Sequence, residues 1–389
     1  MLKVKLMNKI AKVGTDVLSK TKYEVSADVE TEQADAIMVR SAALHELQFS
    51  ENLRAIARCG AGVNNIPVEK CTENGVVVFN TAGANANAVK ELVVAALVLS
   101  SRDVIGGVKW VESLQGQTGV AKLVESGKSA FVGHELAGKT LGVIGLGAIG
   151  GMVANTAISL GMSVLGYDPY ITAKAAWSLA PSVKQASDYT EIFKTCDYIT
   201  LHVPATPQTR NMICEKSIAT MKDGVRILNL ARADLVNAED VKKAIAEKKV
   251  ACYVTDFPTE ETVGADGVIA IPHLGASTVE SEDHCAIMAA QQLDEFLTCG
   301  NIKGSVNFPT VGIPQSDNPR VCIMNKNIPN MLSQITAAFS AENVNIEHLA
   351  NGSKGEVAYT IVETNVPIGA DILQKLTEID GIFGVRAFA

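Results

Sequence analysis

The chain has 389 residues, 47% hydrophobic and 20% charged, with a formal net charge of −8. That length exceeds one compact core, so two or three domains are expected. The acidic balance and the lack of a long basic run exclude a nucleic-acid partner or an anionic membrane surface as the natural reading, and an anionic substrate would need a local cationic pocket.

Up to about residue 100, short apolar runs alternate with helical patterns. "KVKLM" (3–7), "AIMVRS" (36–41), "RAIARCG" (54–60) and "VVVFN" (76–80) read as strands. "NKIAKVGTDVLSK" (8–20) reads as a helix, as does "IPVEKCTENG" (66–75), with Pro67 near its first turn and Gly75 past its end. Strands alternating with helices imply a parallel sheet. A long apolar helix over 85–108, capped by Asn85 or Asn87, should be buried at a seam between domains.

After a glycine-rich loop over about 113–138, a second α/β domain begins. "TLGVIG" is its first strand and "AIGGMVANTAISLG" its first helix, closed by Gly161. "MSVLGYD", "CDYITLHV", "VRILNLA", "VACYVTD" and "GVIAIPH" supply further strands, with helices between the earlier ones. A helix over 277–300, opened by a Ser277/Glu280 capping box, carries the chain back to the first domain and leaves a cleft between the two. The segment 306–320 has three prolines and reads as a linker. Beyond it the order strand, helix, strand, strand, helix, strand matches a ferredoxin-like split βαβ. The expected division is 1–102 with 283–310, then 103–282, then 318–389.

The longest apolar run, Leu92 to Leu99, is too short for a bilayer, and "MLKVKLMNKI" has no signal-peptide core. Cys59, Cys71, Cys196, Cys214, Cys252, Cys285, Cys299 and Cys322 show no C-x-x-C spacing. Free buried thiols, a cytoplasmic setting and no metal site are expected.

Gly145-x-Gly147-x-x-Gly150 joins a strand to a helix, where glycines permit a tight turn, close backbone approach to a diphosphate, and close packing of helix on strand. The helix start, Ala148 and Ile149, offers unpaired N–H groups to the phosphates. Asp168 ends the next strand 18 residues past Gly150, placed for the ribose hydroxyls, and its charge repels a 2′-phosphate. The expected cofactor is NAD. Hydride transfer to NAD needs a base near neutral pH, and His273 precedes the long helix at a strand end. Arg232 ends the apolar strand "ILNLAR"; its fork suits a carboxylate. Asp256 ends another, with Glu260 or Glu261 just after, and a carboxylate bonded to a histidine raises its pKa.

"GKTLGVIGLGAIG", "GYD", "LHVP", "LNLARADLV" and "PHLGAST" resemble the D-2-hydroxyacid dehydrogenase family in order and spacing. The resemblance implies two doubly wound parallel-sheet domains, flavodoxin-like for substrate and Rossmann for NAD. It assigns catalysis to Arg232, Glu260 and His273. Further cofactor contacts would come from His202, Val203, Pro204, Leu230, Ala231, Asp256, Gly275 and Ala276. The family places its glutamate five residues after the aspartate; "DFPTE" is one residue shorter, so Glu260 fits the P-x-E context and Glu261 the count. The usual "ARG" reads "ARA".

For the substrate, the first domain offers Arg40 and Ser41, then Arg58 before the turn Gly60, Ala61, Gly62, then Asn80; Lys90 stands at the start of the long apolar helix. The arginines and Lys90 would make the cationic patch. The C-terminal unit resembles an ACT module, a small-molecule regulatory domain. A family member with that appendage implies oxidation of 3-phospho-D-glycerate to 3-phosphohydroxypyruvate, the first step of serine biosynthesis, by a homodimer or homotetramer whose C-terminal sheets pair edge to edge. The serine-binding loop pattern H-x-N-x-P-G reads "NKNIPN" here, with Asn325 for the histidine and Asn330 for the glycine; Asn327 and Asn345 match serine-contacting asparagines. A glyoxylate or hydroxypyruvate reductase would share the catalytic residues, and an NAD-sensing interaction protein would share the fold.

Overall fold

Short runs rich in apolar residues build the first sheet. In a computed structural model describing residues 1–388, the strands are β1 (Leu2–Leu6), β2 (Tyr23–Ser26), β3 (Ala36–Val39), β4 (Ala55–Arg58) and β5 (Val77–Asn80). They lie parallel in the order β2-β1-β3-β4-β5. β3 to β5 are buried almost throughout, as parallel strands covered on both faces must be. Two short helices accompany them, α1 (Lys12–Thr15) and α2 (Val68–Glu73). The helix expected over 8–20 shrinks to α1, which keeps only its middle, Lys-Val-Gly-Thr. Strand β2 is not among the strands the sequence pattern predicts.

Packing divides the chain into two units, residues 1–85 with 279–389 and residues 86–278. The second unit opens with α3 (Ala86–Ser101) and α4 (Val104–Glu112). These replace the single helix expected over 85–108. The break falls at Asp103, whose carboxylate accepts the Gly106 N–H at 2.9 Å and caps a new helix. The expected loop over 113–138 also contains α5 (Val120–Gly127) and a 3-10 turn (Lys128–Phe131). Val89, Val93, Ala96 and Leu97 of α3 join the core of this unit.

That core surrounds a seven-stranded parallel sheet. Its strands and helices run β6 (Thr140–Ile144), α6 (Ala148–Ser159), β7 (Ser163–Tyr167), α7 (Ala173–Trp177), β8 (Lys184–Gln185), α8 (Tyr189–Thr195), β9 (Tyr198–Leu201), α9 (Glu215–Ile218), β10 (Val225–Asn229), α10 (Ala238–Ala246), β11 (Val250–Thr255) and β12 (Val268–Ala270). The order is β12-β11-β10-β9-β6-β7-β8. Strand order reverses between β6 and β9, and the carboxyl ends of strands at such a point form a ligand crevice.

The remainder begins with α11 (Val279–Cys299), which packs on the first sheet. A Cβ on Gly14 of α1 would lie 2.4 Å from Ala286 of α11, so a side chain there would part the two helices. The expected capping box is displaced: α11 starts at Val279, and Ser277 Oγ donates to the His273 carbonyl at 3.4 Å.

Next come β13 (Arg320–Lys326), α12 (Met331–Ala341), β14 (Ile346–Lys354), β15 (Val357–Thr364), α13 (Ala370–Glu378) and β16 (Ile382–Phe388), in an antiparallel sheet ordered β14-β15-β13-β16. The strand period of two separates its faces. Val321, Ile323 and Val362 meet Ile335, Phe339 and Leu376 of its own helices. Cys322, Met324, Tyr359 and Ile361 instead join Phe79, Phe296 and Phe308 in the first unit's core. The segment 306–320 is therefore no loose linker. Val306 N–H donates to the Val78 carbonyl at 2.8 Å, and buried Arg320, paired with Glu363, also donates to the Cys299 and Pro314 carbonyls.

Candidate active site

Three glycines shape the turn after β6, each differently. Gly145 has φ 92°, and a Cβ there would lie 2.5 Å from the His202 carbonyl. A Cβ on Gly150 would lie 1.8 Å from the Gly145 carbonyl, so α6 can approach the turn only without a side chain. Gly147 caps α6 and has open space around it, a cradle facing the first turn's unpaired N–H groups. Asp168, just past β7, accepts the Leu146 N–H and the Tyr170 N–H, each at 2.9 Å, one on each oxygen. Its carboxylate is thereby fixed against the glycine turn, with lone pairs left for hydroxyl donors.

His202 follows β9, and its Nε2 pairs with Thr200 Oγ1 at 2.9 Å. Burial pushes its pKa down to about 4, so the ring is neutral and serves as a wall beside the turn rather than as a base. The Pro204 carbonyl accepts the Thr209 hydroxyl at 2.6 Å and holds the following turn.

The chemical groups gather at the ends of β10, β11 and β12. Arg232 lies three residues past β10, its side chain exposed. Fully buried Asn229 sets that turn: its Nδ2 donates to the Arg232 carbonyl at 2.8 Å, and its Oδ1 accepts the Ala231 and Arg232 N–H groups at 3.2 and 3.3 Å. The sequence reading passed over Asn229. Its signal was an amide at the end of an otherwise apolar strand, where a side chain must be bonded.

Asp256 is 1% exposed, and its Oδ2 accepts the Gly275 N–H at 3.2 Å. Desolvation raises its pKa, opposed by that N–H and by the charges of His273 and Arg232. Those two side chains are thus within electrostatic reach of one buried carboxylate. Its Oδ1 has no partner among the described residues, an acceptor that fits the carboxamide N–H of a nicotinamide. His273 lies beyond the end of β12 rather than on it; its exposed ring sits 4.5 Å from the Phe257 ring. Among the described residues no hydrogen bond joins His273 to Glu260 or Glu261. Glu260 is exposed, and a Thr259 hydrogen bond draws the Glu261 pKa down. Lys90 pairs with Glu91 at 3.6 Å.

The first unit has its own crevice, at the reversal between β1 and β3. The N–H groups of Arg40, Ser41 and Ala42 converge on Asn8 Oδ1, each at 3.0 Å. Arg58 Nε donates to the Arg40 carbonyl at 3.1 Å, and its guanidinium folds over Gly60. Asn80 Nδ2 donates to the Ala61 carbonyl at 2.6 Å. Arg40, Ser41, Arg58, Gly60, Ala61 and Asn80 are therefore one linked cluster, and Asn8 is the member the sequence reading missed. Among the described residues no helix is long and apolar enough to cross a membrane, and no cluster of His, Cys, Asp or Glu is placed to hold a metal.

A glycine turn at a sheet's reversal, a carboxylate past the next strand, and an arginine and histidine around a buried aspartate define the class: an α/β dinucleotide-binding protein of dehydrogenase type. Residues 95–275 match the family described as "D-isomer specific 2-hydroxyacid dehydrogenase, NAD binding domain". The chain is 36% identical over 273 residues to a hydroxypyruvate reductase of Thermotoga maritima, covering 67% of this chain and 84% of that one. It is 34% identical over 317 residues to a D-3-phosphoglycerate dehydrogenase of Methanocaldococcus jannaschii, covering 79% of this chain and 58% of the relative's length. An NAD+-bound 3-phosphoglycerate dehydrogenase structure from Entamoeba histolytica superposes with a TM-score of 0.61 at 28% identity, over 79% of this chain and 98% of that one. The chain belongs to the D-isomer specific 2-hydroxyacid dehydrogenase family, and its cofactor is NAD.

Proposed function

We propose that the protein interconverts 3-phospho-D-glycerate and 3-phosphohydroxypyruvate with NAD. The observation that carries the reading is that Arg232, buried Asp256 and His273 each follow one of three neighbouring strands, β10, β11 and β12, of the NAD-binding unit. A nicotinamide held there would supply the acceptor and donor for the C2 hydride. His273 takes the proton of the C2 hydroxyl as that bond is lost, and its exposed ring passes it to solvent. Arg232 holds the C1 carboxylate with its fork and polarises the C2 oxygen. Gly145, Gly147, Gly150 and Asp168 hold the dinucleotide's diphosphate and ribose, and Asp256 its carboxamide. His202, Val203 and Pro204, with Leu230, Ala231 and Ala276, line the same strand ends. The first unit's cluster, Arg40 and Arg58 above all, receives the anionic tail. Glu260 or Glu261 is the carboxylate assigned to support His273, and among the described residues neither is bonded to it.

The hydroxypyruvate reductase likeness favours a second reading, in which the tail is a free hydroxyl. Steady-state NADH oxidation with 3-phosphohydroxypyruvate against hydroxypyruvate separates the two, and equal efficiency on both removes the phosphorylated substrate. We also read the C-terminal sheet as an ACT-type regulatory unit. A cavity of about 200 Å³ there is lined by Asn325, Asn327, Asn330, Ser333 and Asn351. Asn330 has φ 71°, so it adopts the turn conformation a glycine would. Asn345 bonds Glu347 instead of lining the cavity. Serine added to the same assay tests this unit. Eight unpaired cysteines support a reducing, cytoplasmic setting.

A further inference from the structure

The proposed tail-binding arginine already has an anion. Arg40 Nη2 lies 2.7 Å from Glu282 Oε1, with the two side chains 42% and 45% exposed. Both partners are held from behind. Asn8 takes the three backbone N–H groups at residues 40–42, and Arg58 takes the Arg40 carbonyl, so the guanidinium is Arg40's remaining means of meeting an anion. Glu282 sits in the first turn of α11, where the helix dipole favours a carboxylate. Glu280 precedes it and Asp283 follows it, adding further negative charge to the same stretch.

We propose that Glu282 is the resident counter-ion of Arg40 and sets how much negative charge this crevice accepts on a substrate tail. The inference rests on the reading that Arg40 receives that tail. An exposed pair of this kind contributes little to stability, so the carboxylate can be displaced. While it stays, it satisfies the guanidinium and repels an arriving anion, and it repels a phosphate dianion more than a monoanion. Glu282 thereby lowers the preference for a phosphorylated tail over an uncharged one.

The test uses the full chain and two probes. Inorganic phosphate, titrated by thermal shift, needs no turnover. Glu282→Gln should tighten phosphate about fivefold, the upper range for one exposed charge pair. In an Arg40→Met background the same substitution should change nothing, which separates a charge effect through Arg40 from a general loss of repulsion. In the assay arm, the ratio of kcat/KM for 3-phosphohydroxypyruvate to that for hydroxypyruvate should rise by a similar factor in Glu282→Gln. Glu282→Asp, which keeps the charge, should leave the ratio closer to the parent's. Phosphate affinity unchanged in folded Glu282→Gln, or tightened equally without Arg40, overturns the proposal. Tightening through Arg40 in a protein that reduces neither keto acid upholds the counter-ion and defeats the substrate reading instead.

Discussion

Asn229→Ala is the most direct test of how the candidate site is held. The side chain is fully buried and makes three hydrogen bonds to the turn that carries Arg232. Each contributes about 1 kcal/mol net, and the groups left behind lose their partner inside the protein, so the expected cost is about 3 kcal/mol. For a unit of this size that lowers the melting temperature by about 6–12 °C. The turn also loses its template, and a small displacement of Arg232 lowers kcat/KM by about tenfold or more. NAD affinity should fall much less than kcat/KM, because Asn229 touches neither the glycine turn nor Asp168 and meets the cofactor side only through the Ala231 N–H. Thermal melts, NAD titration and steady-state kinetics on one preparation read all three. A melting temperature equal to the parent's would refute the claim that Asn229 braces the turn. Lost NAD affinity with kcat/KM unchanged would refute the link to Arg232.

Gly150→Ala forces a Cβ against the Gly145 carbonyl and should lower both stability and NAD affinity, whereas Gly147→Ala has open space and should weaken NAD binding without changing the melt; equal melts for the two variants would contradict the packing argument. His273→Ala should cut turnover at least about a hundredfold, as removal of a general base does, with NAD still bound; undiminished turnover removes it from the mechanism. His202 has its folded pKa depressed from 6.5 to about 4, so the neutral ring is the stable form. Its contribution is complete above pH 6.5 and is lost as pH falls toward 4, because the unfolded chain then binds a proton that the folded ring refuses. His202→Gln should flatten the stability profile over that window, and a profile parallel to the parent's would show that another group carries the acid sensitivity.

Local pattern was a good guide where local physics decides. Apolar runs ending in glycine turns marked β6 and its turn, and single polar residues at the ends of apolar strands marked Arg232 and Asp256. It failed where a neighbour far along the chain decides. The helix expected over 8–20 is cut to α1, whose Gly14 packs closely on Ala286 of α11, whereas the break at Asp103 in the helix expected over 85–108 is a local cap that the apolar pattern hides. Asn8 looks like an ordinary polar residue in sequence, and its role is visible only when the N–H groups of residues 40–42 are folded around it. Asn229, an amide at the end of an apolar strand, serves its own turn and was legible in principle.

By itself the sequence determined the parallel α/β class, the dinucleotide turn and the identity of the charged groups at the strand ends, because each follows from periodicity, glycine placement and residue chemistry within a few positions. Tertiary structure alone decided that the alternate faces of β13 and β15 would be shared between their own helices and the core of the first unit. It alone brought Glu282 to Arg40 and left Asp256 buried with an unspent oxygen. Such pairings depend on residues tens to hundreds of positions apart, whose meeting is set by sheet order and helix packing rather than by any local preference.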